Sequence, residues 1–235
     1  MKATIKPALA AALMGALGAA ALALRAALYA AALDEKGLLL RGHPLGTLIA
    51  LTAAAALVIT LLAAANRGQA QGYPPAIRGL GAFLFSAGIA FSVIAGGFPD
   101  APAALALRLL GLAAALALAW TGIQELKAAP GCFLCRVLVC IYSALYLVAR
   151  YQIWSANPQI QDYVFSVLGC AALALFAYFH AARLISPRYP RRCHAAGLLA
   201  GYFCLGAVYR AQDPLVFLGA ALWALTQAST SREVN

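Results

Sequence analysis

Apolar runs of about 20 residues recur along the whole chain, and short segments holding most of the charges separate them. A helix of that length crosses the hydrocarbon core of a bilayer. The pattern predicts helical segments at 7–33, 45–65, 77–98, 103–126, within 128–163, at 162–185, at 193–209 and at 214–228. Turn residues punctuate them: Gly37, Gly42 and Pro44, then Pro74 and Pro75, then Pro99 and Pro102, then Asn157 and Pro158. Asp213 before Pro214 reads as a helix cap with proline in the first turn. The last two segments are short for spans. The expected fold class is all-α: a polytopic bundle of about eight transmembrane helices, seven if the last does not span, forming one transmembrane domain over residues 1–235.

The stretch 128–163 departs from a plain lipid-facing span. On a helix, Cys132, Arg136, Ser143, Tyr146, Arg150 and Trp154 fall on one face, and Leu134, Leu138, Ile141, Leu145 and Val148 on the other. Its two arginines stand about 21 Å apart along the axis. A charge facing lipid costs several kcal/mol, so this stripe is expected to face other helices or a wet cavity. In the third segment Gly88, Ser92 and Gly96 are spaced by four, with Gly81 before them, a small-residue stripe that lets another helix approach closely.

Composition agrees with the pattern. Hydrophobic residues make up 64% of the 235 and charged residues 10%, against about a quarter charged in soluble domains. Lys2 and Lys6 precede the first apolar run like a signal peptide, but the run continues past any cleavage point and is expected to remain as a span. The net charge of +10 does not imply nucleic acid, because the basic residues gather in short connections between spans. Arg67, Arg78, Lys127, Arg183, Arg191 and Arg192 outweigh Lys36, Arg41 and Arg210 on the alternate connections. That asymmetry places both termini in the cytoplasm, and the composition suggests a bacterial inner membrane.

With this topology, Arg25, Arg108 and Arg150 lie inside the outer halves of three helices, and Arg210 ends a fourth. Asp34, Glu35, Asp162 and Asp213 lie at outer helix ends or beside them. The charges either pair off and lock helix ends together, with Arg150–Asp162 and Arg210–Asp213 as local pairs, or line an outward pocket. In the second case Arg25, Arg108 and Arg150 hold a small anion or lipid headgroup, using the planar fork that suits carboxylates and phosphates. Asp34, Glu35 and Asp162 orient them or couple to protons, and Tyr146 and Trp154 pack the ligand body. The expected function is binding or transport of such an anion. The alternative is an intramembrane enzyme acting on a lipid or isoprenoid phosphate, with His43, Asp34 and Glu35 as acid and base. The expected partners are the bilayer, the anionic ligand and, in a purely structural role, another subunit.

Cys132-Phe133-Leu134-Cys135 at a helix start resembles the redox pair of membrane thiol oxidoreductases that work with quinones, the DsbB and vitamin K epoxide reductase families. The resemblance covers these four residues and implies thiol–disulfide exchange. Those families need further cysteines, and the six here, all between Cys132 and Cys204, leave the predicted outer loops empty. Cys132, Cys135, Cys193 and His194 match metal-ligand spacings weakly. No metal or cofactor is assigned, and none of the common hydrolase, metalloprotease or nucleotide motifs occurs.

Overall fold

A computed structural model describes residues 6–32, 43–65, 73–95, 102–155, 160–186 and 189–228. Among them the chain forms eight helices and no strands: α1 (Pro7–Ala31), α2 (Pro44–Ala65), α3 (Pro75–Ile94), α4 (Pro102–Leu126), α5 (Phe133–Ser155), α6 (Ile160–Ala182), α7 (Pro190–Ala207) and α8 (Pro214–Ala228). Six of the eight begin at a proline, whose fixed φ suits the first turn and whose missing N–H would have no partner there.

Six helices, α1 to α6, are long and apolar enough to cross a membrane, which makes this a multi-pass membrane-protein fold. α7 and α8 fall short of that measure, and they are the helices most enclosed by the others. Trp223, Phe217 and Ala220 of α8 and Tyr202, Leu198 and Cys204 of α7 are all buried. A helix surrounded by protein needs small, closely packing residues more than it needs an oily surface. α2 is the opposite case. It is very apolar and buries Ala56, Thr60 and Ala63 alone.

The helices α3, α4, α5, α6, α7 and α8 each pack on the next, and α8 closes back on α3, giving a ring of six. α1 packs outside on α7, and α2 covers α1 and α7. Successive helices alternate in direction, so the starts of the odd-numbered helices share one face with Ala228, here the terminal face. Tyr73 before α3 donates a hydrogen bond to the Ala8 carbonyl there (3.2 Å). The other ends form the far face.

The predicted stripe of α5 turns into this ring. Arg136, Ser143, Tyr146 and Arg150 are buried, whereas Leu134, Ile141, Leu145 and Val148 face outwards. The small-residue stripe of α3 is used as expected, with α8 as the approaching helix. A Cβ at Gly219 would lie 2.6 Å from Phe85 Cα, and one at Gly88 would strike the Leu215 carbonyl. Gly96 lies outside the described residues. Gly88→Ala is expected to destabilise the protein by about 1–3 kcal/mol, because rigid backbone must move. Gly46→Ala, where nothing lies within 4 Å, serves as the neutral control in a thermal-unfolding comparison in detergent.

Candidate functional site

The far face is organised by the turn between α7 and α8. α7 stops at Ala207, and the chain turns through Arg210, a non-glycine residue at φ 61°. That left-handed conformation is held by its surroundings, and such strain gathers at functional positions. The Arg210 guanidinium sits over the Tyr29 ring, 4.6 Å from its centroid, and Tyr29 lies 5.5 Å from Tyr209. One turn earlier on α1, the buried Arg25 donates from Nη1 to the Gly206 carbonyl and stands 5.0 Å from the Phe165 ring. Gly206 is in the last turn of α7, where carbonyls lack partners and the helix dipole is negative, so a guanidinium is stabilised there.

Asp213 ends the same turn. Its Oδ2 pairs with Arg150 Nη2, with side chains 4% and 2% exposed. The same oxygen accepts from the Tyr146 hydroxyl at 2.8 Å, and Oδ1 accepts from Ser92 Oγ at 2.7 Å. Arg150 Nη1 also donates to Gln212 Oε1 at 2.6 Å. One carboxylate at the start of α8 thereby ties α3, α5 and α8 together, at a helix N-terminus whose dipole also favours it. Below it Tyr146 meets Phe217 (6.5 Å between centroids) and Tyr142 (5.7 Å), whose buried hydroxyl has no hydrogen-bond partner among the described residues.

The structure therefore brings Arg25, Arg150, Tyr146 and Arg210 onto one turn. Arg108 is half-buried on α4, which packs on α3 and α5 and not on α7. Asp34 and Glu35 lie outside the described residues, as do the side chains of Trp154 and Asp162. The local pairing of Arg210 with Asp213 is superseded: Asp213 serves Arg150, 63 positions away, because the Arg150 side chain reaches across the ring from the end of α5 to the start of α8. Ser92 and Gln212 were not legible as site residues. Ser92 reads as packing in sequence, and a polar residue within a small-residue stripe was the one available signal. His43 acts as a helix-start residue, its Nδ1 accepting from the Leu45 N–H at 3.3 Å.

All six cysteines are free, and no three His, Cys, Asp or Glu side chains among the described residues gather as metal ligands. His194 Nδ1 is engaged by the Ala228 carbonyl. The Cys132 N–H is capped by Gln124 Oε1 at 3.0 Å. The Cys132 thiol is held below the usual thiol range, chiefly by the hydrogen bond from the Cys135 side chain, then by the Cys135 backbone N–H. A thiolate is the reactive form. Iodoacetamide is therefore expected to modify Cys132 ahead of the buried Cys170, Cys193 and Cys204, and Cys135→Ala, which returns the thiol towards its ordinary value, should slow the reaction at neutral pH. Peptide mapping by mass spectrometry reads both.

Fold and site together define a multi-pass helical membrane protein with a buried guanidinium–carboxylate network in its helix ring. No family model matches the sequence, and no curated protein or solved structure proved similar to it.

Removing one partner of a buried ion pair leaves an uncompensated charge, which costs about 3–5 kcal/mol. Asp213→Ala should lower stability by that order. The added Arg150→Met change should recover part of the loss, read as the coupling in a double-mutant cycle of thermal unfolding.

Proposed function

We propose that the chain binds and moves a small anion, a carboxylate or a phosphate, at the far-face arginines, with Arg150 as the anion's main partner. The far face is the outward one in this reading, because the basic connections lie at the terminal face. The observation that carries the proposal is the Arg150–Asp213 pair, withdrawn from water at the end of the helix ring.

Arg150 needs a counter-charge at all times, since a buried unpaired guanidinium costs several kcal/mol. Asp213 supplies it at rest. An incoming anion of the same fork geometry competes for the same donors. Once it holds Arg150, Asp213 stands among the Tyr146 and Ser92 hydroxyls with its charge unmatched, and a proton cancels that charge at least cost. Anion and proton then enter together, without net charge. Arg25 and Arg210, on the same turn, add the positive field that concentrates anions at the mouth. Tyr146, stacked beneath Arg150 at 5.3 Å, offers the ligand body an aromatic wall.

The test is thermal stabilisation of the detergent-purified protein by acetate, succinate and inorganic phosphate at pH 5.5 and 7.5, values chosen about 2 units apart so that linkage is readable. A binding anion should stabilise more strongly at the lower pH, by up to about tenfold in affinity per pH unit for one coupled proton. Arg150→Ala should abolish the effect while the protein remains purifiable. In Asp213→Ala the same anions should restore part of the lost stability by taking the vacated place on Arg150. Stabilisation that ignores pH and survives Arg150→Ala, with no rescue of Asp213→Ala, would leave the pair as a structural lock.

A further inference from the structure

A second charged cluster closes the terminal end of the same ring. Arg78, in the first turn of α3, pairs with Glu125 of α4 (Nη1–Oε2, 3.0 Å). Arg136, in the first turn of α5, approaches the other oxygen of that carboxylate at 3.9 Å, which is too far for a hydrogen bond. Its Nη1 donates to the His180 carbonyl at 3.2 Å. Arg183, just past α6, donates from Nη2 to His180 Nε2 at 3.0 Å and to Gln227 Oε1 at 3.4 Å. An arginine only donates, so Nε2 accepts and a neutral His180 ring carries its proton on Nδ1.

Two guanidinium groups thus share one carboxylate and a third, Arg183, bonds only uncharged groups, so positive charge exceeds negative by two in this cluster among the described residues. Donors are unmatched too. Arg78 Nε, Arg136 Nε and His180 Nδ1 are buried with no hydrogen-bond partner among the described residues, and Arg136 is 6% and His180 1% exposed. Helix dipoles worsen the imbalance. Arg78 and Arg136 stand in first turns, where the dipole is positive and favours an anion. The loop before α5 is shaped around the guanidinium: a Cβ at Gly131 would strike Arg136 Nη2. Surface snorkelling does not account for a guanidinium this enclosed.

We propose that this cluster binds a phosphate group, carried either by an anionic lipid headgroup or by a soluble phosphate. A tetrahedral oxyanion presents several acceptors to several forks at once; a headgroup phosphodiester would offset one of the two excess charges, and inorganic phosphate close to both. The cluster lies at helix ends, the depth at which headgroup phosphates sit, and Arg191 and Arg192 begin α7 on the same face. The site is separate from Arg150 and stands whether or not the far face moves an anion.

The test begins with native mass spectrometry of the protein purified in mild detergent, and continues after delipidation with two titrations, one of short-chain phosphatidylglycerol and one of inorganic phosphate. Retention of phosphatidylglycerol alone identifies a lipid site; binding of inorganic phosphate identifies a soluble one. Arg136→Gln should weaken either by about tenfold or more, the loss of a charge-assisted hydrogen bond. Glu125→Gln removes the competing carboxylate and should tighten it. It also decides the matter if Arg136→Gln does not fold: binding that is unchanged or weaker in Glu125→Gln, or absent throughout, overturns the proposal and leaves an ion-pair clamp between α3, α4 and α5.

Discussion

A guanidinium cut off from water has to be given a counter-charge by the protein itself, and the far half of this structure is built around how Arg150 receives one. Asp213 meets it because the Arg150 side chain spans the ring to the start of α8, because the turn before α8 is short, and because Arg210 accepts a left-handed backbone within that turn. Arg25 fastens the end of α7 from the outside by holding the Gly206 carbonyl. Tyr146 and Ser92 bind the remaining lone pairs of the carboxylate. Buried pairs of this kind contribute less to stability than their attraction suggests, because desolvation offsets it. Their structural effect is to fix which helix ends meet.

The two ends of the ring differ in how they are balanced. At the far end a carboxylate and a guanidinium meet at contact distance, with hydroxyls completing the shell. At the terminal end one carboxylate is shared by two arginines, and a third bonds an uncharged histidine nitrogen. Between them the interior is aromatic: Tyr142, Tyr146 and Phe217 on one side, and Trp223 packed on Phe85, Phe176 and His180 on the other. α5 carries an arginine to each end, so any shift of this helix is felt at both clusters.

The short helices α7 and α8 make this interior possible. Glycines at 81, 88 and 219 bring the backbones of α3 and α8 together, and Gly201 receives the Leu225 side chain between α7 and α8. Association of helices in a membrane rests on such close packing rather than on burial of oily surface, which lipid satisfies equally well. α1 and the very apolar α2 are left to the periphery.

Much of this was legible in the sequence. Run length located the helices, because a chain in hydrocarbon must satisfy its own backbone; Pro44, Pro75 and Pro102, which read as turn residues, instead begin helices, since proline suits a first turn. The inward face of α5 was determined too: a stripe holding Arg136, Tyr146 and Arg150 opposite leucines has one comfortable orientation. The glycine stripe announced a close helix without naming α8. The partnerships belonged to tertiary structure alone. Neighbours in sequence suggested Asp213 for Arg210, whereas ring closure between α8 and α3 delivered it to Arg150. Likewise Arg78, Glu125 and Arg183 read as ordinary residues of the membrane interface, and the ring gathered them with Arg136 into one cluster. Periodicity tells which face of a helix is polar; which polar faces meet depends on the order of helices around a core, and that order is set by packing between residues far apart in the chain.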